Sequence, residues 1–322
     1  MTFFSSLRRI VKRLGASDHP HFTDSVPPQA LLEPSDPPEP SDPQLDNFRI
    51  PPRRLDEYNF FDFSDLEADT LERLFSKTAR YWRMKPTDPL MLYFSVLTNY
   101  SGLTDLSHED RKKFLDTGQK SINEIVEIFY SHWTGTRKPD VMDFGCGVGR
   151  LALHAAPHAN NIVLVDFSQS QLEEAQRNMV DFGAFEADVI MIDNLGDLST
   201  LPRSDLVYSF ITLQHNTPPV MEEITRKLLN ALQPGGVAVL HIPLAFSNYS
   251  FDPYYYLQDD NAGTCLEMHI LPRNNLNQLA ERSNCKIVAS YGKGGTGDYY
   301  SEWVVFRRFD DDWRQPHDQG ET

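Results

Sequence analysis

Val141-Met-Asp-Phe-Gly-Cys-Gly-Val-Gly-Arg150 is the stretch on which the reading of this chain turns. An apolar run carries one acid, Asp143, and stops at three glycines at alternate positions, Gly145, Gly147 and Gly149. A helical segment follows, and the next apolar run, Ile162 to Val165, ends in Asp166. A strand, a glycine turn, a helix and a second strand closing on an acid form half of a nucleotide-binding α/β unit.

The details of the turn separate one nucleotide from another. A pyrophosphate-binding turn reads G-x-G-x-x-G/A, its third glycine permitting close helix packing. Here that position is Arg150, a long side chain, and the Asp143 carboxylate would repel phosphate. A ligand with a cationic amino group suits it better. Asp143-x-Gly145-x-Gly147-x-Gly149 resembles motif I of the class I S-adenosylmethionine-dependent methyltransferases. Four further segments resemble that family in order: Val163-Leu-Val-Asp166, Val189-Ile-Met-Ile-Asp193, Asp205-Leu-Val-Tyr-Ser-Phe210, and Leu232-Gln-Pro-Gly-Gly236 leading into Val237 to Ile242.

The resemblance implies a doubly wound, Rossmann-like α/β fold. Its sheet would have seven strands, the last antiparallel, with a helical N-terminal extension. It implies S-adenosyl-L-methionine as cofactor. Gly145, Gly147 and Gly149 would let backbone approach the methionine half, and Asp143 would hold its ammonium. Asp166 would accept from the ribose hydroxyls. Asp193 would sit by the adenine, with Asp188 a competing choice, and Gln214 would orient cofactor or acceptor. His215, after the fourth strand, is the preferred general base, because histidine accepts a proton near neutral pH. A packing role for His215 stays open, as do His241 and His269 as the base. An Asn-Pro-Pro-Tyr-type sequence is missing after the fourth strand; Asn216-Thr-Pro-Pro219 is displaced and lacks the aromatic residue.

Composition narrows the partners. The 322 residues are 40% hydrophobic, room for one large domain plus extensions, and no apolar run is long enough to span a bilayer. Cys146, Cys265 and Cys285 have neither disulfide-framework nor zinc spacing, which fits a reducing, cytoplasmic setting. The net charge of −16 argues against a nucleic-acid substrate, since phosphate neutralisation requires a basic face.

Along the chain, residues 1–15 read as a basic amphipathic helix. Phe3, Phe4, Leu7, Ile10, Val11 and Leu14 share one side, and Arg8, Arg9, Lys12 and Arg13 the other. A peripheral anchor on an anionic membrane, a cleaved targeting peptide and a functionless tail all fit. Residues 16–53 form a proline-rich disordered linker in which Glu-Pro-Ser-Asp-Pro occurs twice. Residues 54–135 form a helical lid or extension, where Tyr81, Trp82 and Tyr93 are either lid-lining or ordinary packing aromatics. Ser107 with Asp110 suggests a helix start and Gly118 a helix stop. Residues 136–309 are the methyltransferase-like domain, and 310–322 a disordered acidic tail.

Within the domain, Phe246 to Met268 form an aromatic insertion placed for acceptor recognition or for a dimer interface. Gly292, Gly294, Gly295 and Gly297 fall between the two final strands and read as a flexible connection.

The expected function is methyl transfer to oxygen of a small molecule or glycan. Nitrogen, carbon and protein acceptors remain open. A noncatalytic cofactor-binding adapter tethered by its N-terminal helix is the alternative, and an NAD-dependent dehydrogenase is disfavoured by Arg150.

Overall fold

The apolar runs become the strands of one sheet because each is β-rich and bounded by glycine, proline or acid. In the computed structural model, which describes residues 60–84, 88–96, 106–183, 186–296 and 299–309, the strands are β1 (Asp140–Phe144), β2 (Asn161–Asp166), β3 (Asp188–Met191), β4 (Ser204–Ser209), β5 (Leu232–Phe246), β6 (Cys285–Thr296) and β7 (Tyr299–Arg308). Their order is β3-β2-β1-β4-β5-β7-β6. The pairs among β1 to β5 are parallel, and β7 runs antiparallel to both β5 and β6. The expected seven-stranded sheet with its last strand antiparallel is what the chain forms. The basic N-terminal helix, the proline-rich linker and the acidic tail lie outside the described residues.

Strand alternation builds two apolar faces. Met142, Phe144, Val165, Val207 and Leu240 point one way. There they meet Leu74, Phe75 and Ala79 of α1 (Ala68–Arg83), Ile224 and Leu228 of α7 (Pro218–Asn230), and Leu276 and Leu279 of α9 (Arg273–Arg282). Val141, Leu164, Tyr208, Val239 and Val305 point the other way. They meet Ile122, Ile125 and Phe129 of α4 (Gln119–His132), Ala152 of the short α5 (Ala152–Ala155), and Leu172 and Ala175 of α6 (Gln169–Asn178). Each large aliphatic or aromatic side chain buried this way contributes about 1.5–3 kcal/mol. Helices therefore cover both faces, and α1 and α4 belong to those layers. The short α8 (Pro253–Gln258) lies in the insertion after β5.

The remaining N-terminal helices, α2 (Leu90–Val96) and α3 (His108–Asp116), pack over the glycine turn. Tyr93, Phe114 and Leu115 surround Val148 there. Tyr93 is buried and donates its hydroxyl hydrogen to Glu174 of α6, so it fastens α2 and is not among the residues lining the cavity at the strand ends. Ser107 caps α3 by accepting from the Asp110 N–H at 3.2 Å. Gly118 follows the end of α3, as expected of a helix stop, but without a left-handed cap. Its φ is −75°, and glycine is needed because a Cβ would lie 2.2 Å from the Arg150 carbonyl oxygen.

The glycines near 292–295 depart from expectation. They lie inside β6, which continues to Thr296, with a register shift between Gly292 and Gly294. Backbone pairing with β7 supplies what side chains do not, so no side-chain pattern marks this half of the strand. Among the described residues no helix is long and apolar enough to cross a membrane.

Candidate functional site

The carboxyl ends of β1, β2 and β4 meet at one cavity of about 770 Å³, counting its open mouth. Strand ends beside the order reversal between β1 and β4 are where open α/β sheets bind ligands. Asp143, Gly145, Cys146, Gly147 and Arg150 come from β1 and its turn, and Asp166 and Phe167 from β2. Phe210, Ile211, Thr212, His215 and Asn216 follow β4. Trp82 of α1 and Ser95 and Val96 of α2 close the other side, with Gln171 of α6.

The turn can take its path only with glycine. Gly145 has φ +74° and Gly147 φ +54°, left-handed conformations that side chains disfavour. A Cβ on Gly145 would sit 2.1 Å from Thr212 Cγ2, and one on Gly147 2.6 Å from Val96 Cγ2. The glycines bring neighbouring backbone to the cavity floor, with Gly145 N–H donating to the Val165 carbonyl at 2.7 Å. Gly149 faces away from the cavity, toward Ala175 of α6.

Asp143 is only 3% exposed, and its Oδ2 has no hydrogen-bond partner. Burial pushes its carboxyl up to about 7; the neighbouring Tyr208 hydroxyl and Arg150 oppose this, while Asp166 adds to it. Asp166 is held differently. Its Oδ2 accepts from Gly147 N–H and its Oδ1 from Ser168 N–H, both at 3.0 Å. Burial raises its carboxyl, and those N–H groups work against the rise. Unpartnered buried atoms also belong to three other lining residues, Arg150 Nε, Gln171 Oε1 and Asn216 Oδ1. Buried polar atoms are normally paired, so these four atoms on one cavity suit the polar groups of a ligand.

His215 lines the cavity and is 8% exposed. Its Nδ1 lies 2.7 Å from the Glu267 carbonyl oxygen. That oxygen only accepts, so the ring proton sits on Nδ1 and Nε2 keeps its lone pair. Gln214 Nε2 approaches that lone pair at 3.5 Å, and the ring packs against Trp82 with centroids 5.2 Å apart. Burial pushes His215 down to about 4, against the carbonyls of Glu267 and Ile211. The ring is therefore neutral at pH 7 and, by burial, a weaker base than the near-neutral histidine expected from the sequence.

The other histidines sit elsewhere. His241 Nε2 lies 2.9 Å from Ser301 Oγ, among Phe210 and Trp303, and burial pushes it down to about 3. His269 joins Tyr249 and Glu267 behind the site. In the aromatic insertion, Tyr249, Phe251 and Tyr256 gather around His269, while Tyr254 and Tyr255 are exposed.

Besides Gly149, three expected residues stand outside the cavity lining. Asp193 is exposed beyond β3, where its N–H donates to Asp197 Oδ2 and its carbonyl accepts from Arg83. Asp188 begins β3 at the far end of the sheet, within 3.3 Å of Asn161 Nδ2. Gln214 is buried beside His215, with its carbonyl accepting from His269 N–H.

Several lining residues carry little signal of their own. Ile211 has φ +56°, an outlier for a β-branched side chain, costing about 1–3 kcal/mol. The strain turns the chain so that Thr212 Oγ1 donates to the Gly145 carbonyl and His215 faces the cavity. Isoleucine gives no hint of this; only the short polar run after β4 could have drawn attention. Ser95, Val96 and Gln171 were equally unmarked.

A family model described as a methyltransferase domain matches residues 141–236. The matched residues run from β1 into β5, so this part of the α/β core is similar to a methyltransferase domain. Among curated proteins, a carboxy-S-adenosyl-L-methionine synthase from Pseudoalteromonas atlantica is 28% identical over 136 residues, covering 39% of this chain and 56% of that one. A ubiquinone biosynthesis O-methyltransferase from Rickettsia canadensis is 25% identical over 123 residues, covering 36% and 48%. The chain thus spans about half the length of these relatives. Among solved structures, magnesium protoporphyrin IX methyltransferase from Synechocystis with bound SAM is 16% identical, covering 70% of this chain and 99% of that one, with a TM-score of 0.46.

The cofactor of class I methyltransferases is S-adenosyl-L-methionine, and the residues of this domain fit it. The unpartnered Oδ2 of Asp143 suits an ammonium, the partly buried Asp166 suits ribose hydroxyls, and the glycine floor admits the chain joining them.

Proposed function

We propose that this protein transfers a methyl group from S-adenosyl-L-methionine to an oxygen of a small molecule or glycan. The carrying observation is Asp143, a buried carboxylate whose Oδ2 has no hydrogen-bond partner and which lines a cavity floored by glycines. A buried carboxylate oxygen without a partner is costly, and a cationic amino group would satisfy it. When bound, the cofactor supplies an electrophilic methyl group. The chain's own residues hold it, exclude water and align a nucleophile. Asp143 and Asp166 do the holding, and Trp82, Val96 and Phe210 shield the cavity from solvent.

His215 supports oxygen as the acceptor atom. A hydroxyl must lose its proton during transfer, and His215 Nε2 offers a lone pair at the cavity wall. The Glu267 carbonyl keeps the ring in that tautomer. The acidic net charge favours a small or glycan acceptor over nucleic acid. Residues 2–15 are a candidate peripheral contact with an anionic membrane. Similarity to the carboxy-S-adenosyl-L-methionine synthases supports the cofactor half of the reading, since the overlap covers only part of each chain.

Calorimetric titration with S-adenosylmethionine, S-adenosylhomocysteine and NAD tests the reading. The adenosyl ligands should bind saturably and NAD should not. Asp166→Ala should weaken them by about 1.5–3 kcal/mol, the worth of hydrogen bonds to a charged group. A wild-type protein that ignores both adenosyl ligands would refute the proposal.

A further inference from the structure

Arg150 closes the glycine turn, lines the cavity and is only 5% exposed. Among the described residues its guanidinium makes no hydrogen bond and no ion pair within 4 Å, and its Nε is buried without a partner. Buried arginine is almost always paired, because an isolated buried charge is expensive. The countercharge it feels is Asp143, likewise buried on the same cavity with its Oδ2 unpartnered. Two opposite charges therefore face one cavity without touching each other.

The backbone is arranged to keep Arg150 there. Gly149 ahead of it has φ +80°, and Gly118 of the α3–α4 junction approaches so closely that a Cβ would lie 3.2 Å from Arg150 Cγ. The side chain is confined from behind, leaving its donors to the cavity.

We infer that Arg150 binds the α-carboxylate of the ligand whose α-ammonium Asp143 holds, so that the pair selects adenosyl ligands carrying an intact amino-acid zwitterion. The inference deepens the proposed function and rests on it. A guanidinium presents a planar fork of donors that matches a carboxylate. An ammonium and a carboxylate on one carbon need opposite charges set apart around a common space, and Asp143 and Arg150 provide that. The competing reading is that Arg150 merely offsets Asp143 through space and touches no ligand.

The two readings separate when the ligand is truncated. S-adenosylmethionine, decarboxylated S-adenosylmethionine and methylthioadenosine would be titrated calorimetrically into the full chain. The decarboxylated ligand keeps the ammonium and loses the carboxylate; methylthioadenosine loses both. Wild type should bind S-adenosylmethionine about ten- to hundredfold more tightly than the decarboxylated ligand. Arg150→Met should lose that margin while its affinity for methylthioadenosine stays unchanged. Arg150→Lys, which keeps the charge but not the fork, should lose part of it.

Equal loss for all three ligands would overturn the inference and leave Arg150 a structural residue. Equal wild-type affinity for the intact and decarboxylated ligands would overturn it without any variant, so a failure of Arg150→Met to fold leaves the test standing. Failure of wild type to bind S-adenosylmethionine would instead sink the proposed function itself.

Discussion

Replacing Gly147 by alanine should destabilise the domain through two separable effects. The first is backbone strain. At φ +54° an L-residue costs about 1–2 kcal/mol more than glycine. The second is a collision, since the new Cβ would lie 2.6 Å from Val96 Cγ2, well inside contact distance. Relieving that overlap moves α2 away from the turn, at about 1–3 kcal/mol. The total is about 2–5 kcal/mol.

Val96→Ala removes the colliding atom. Alone it should cost about 1 kcal/mol, since Val96 is only partly buried. In the double variant the collision is absent and only the strain remains. A double-mutant cycle by urea unfolding should therefore give a favourable coupling of about 1–3 kcal/mol. Additivity within about 0.5 kcal/mol would refute the docking of α2 on the glycine turn. The same variants report on the site: Gly147→Ala should weaken S-adenosylhomocysteine binding, and the added Val96→Ala should restore part of it.

His215→Ala should leave S-adenosylhomocysteine affinity within a few-fold of wild type and slow turnover by about 10²–10⁴; unaltered turnover with any accepted hydroxyl substrate would remove it as the base. Asp143, pushed up to about 7, is close to half protonated in the free protein at neutral pH. An ammonium favours its ionised form, so ligand binding should release a proton, and affinity should rise as pH climbs toward 8 and level off above. Calorimetry in buffers of different ionisation heat counts that proton; Asp143→Asn should abolish it, and an unchanged count would clear Asp143 of the role. His241 is pushed down to about 3, below the 6.5 of the unfolded chain, so its contribution is complete above pH 6.5 and is lost as pH falls toward 3. Between pH 7 and pH 5 that loss is about 2 kcal/mol, and His241→Gln should show a correspondingly shallower decline in urea stability. Parallel declines in the two proteins would mean that His241 is not buried neutral.

The features legible in the sequence were those imposed by backbone chemistry. Gly145 and Gly147 announce themselves because no other residue takes their turn without collision, and Asp143 and Asp166 because an acid ending an apolar strand has few structural uses. The strands were legible for the same reason, each being a short apolar run with a breaker at its end. What was not legible depends on contacts between distant segments. Val96 meets Gly147 only after α2 folds over the turn, and Ile211 is strained only because Thr212 and His215 must both reach the site. Asp193 shows the converse limit: its position after the third strand matches the family pattern, yet its side chain is exposed, with its carbonyl taken by Arg83 of α1. Arg150 lies between the two cases. As a departure from the dinucleotide glycine it was legible in the sequence as an exclusion. Its burial beside an acid with one unpartnered oxygen gives the same residue a positive role, because a cavity that leaves opposite charges unsatisfied specifies the charges of what should fill it.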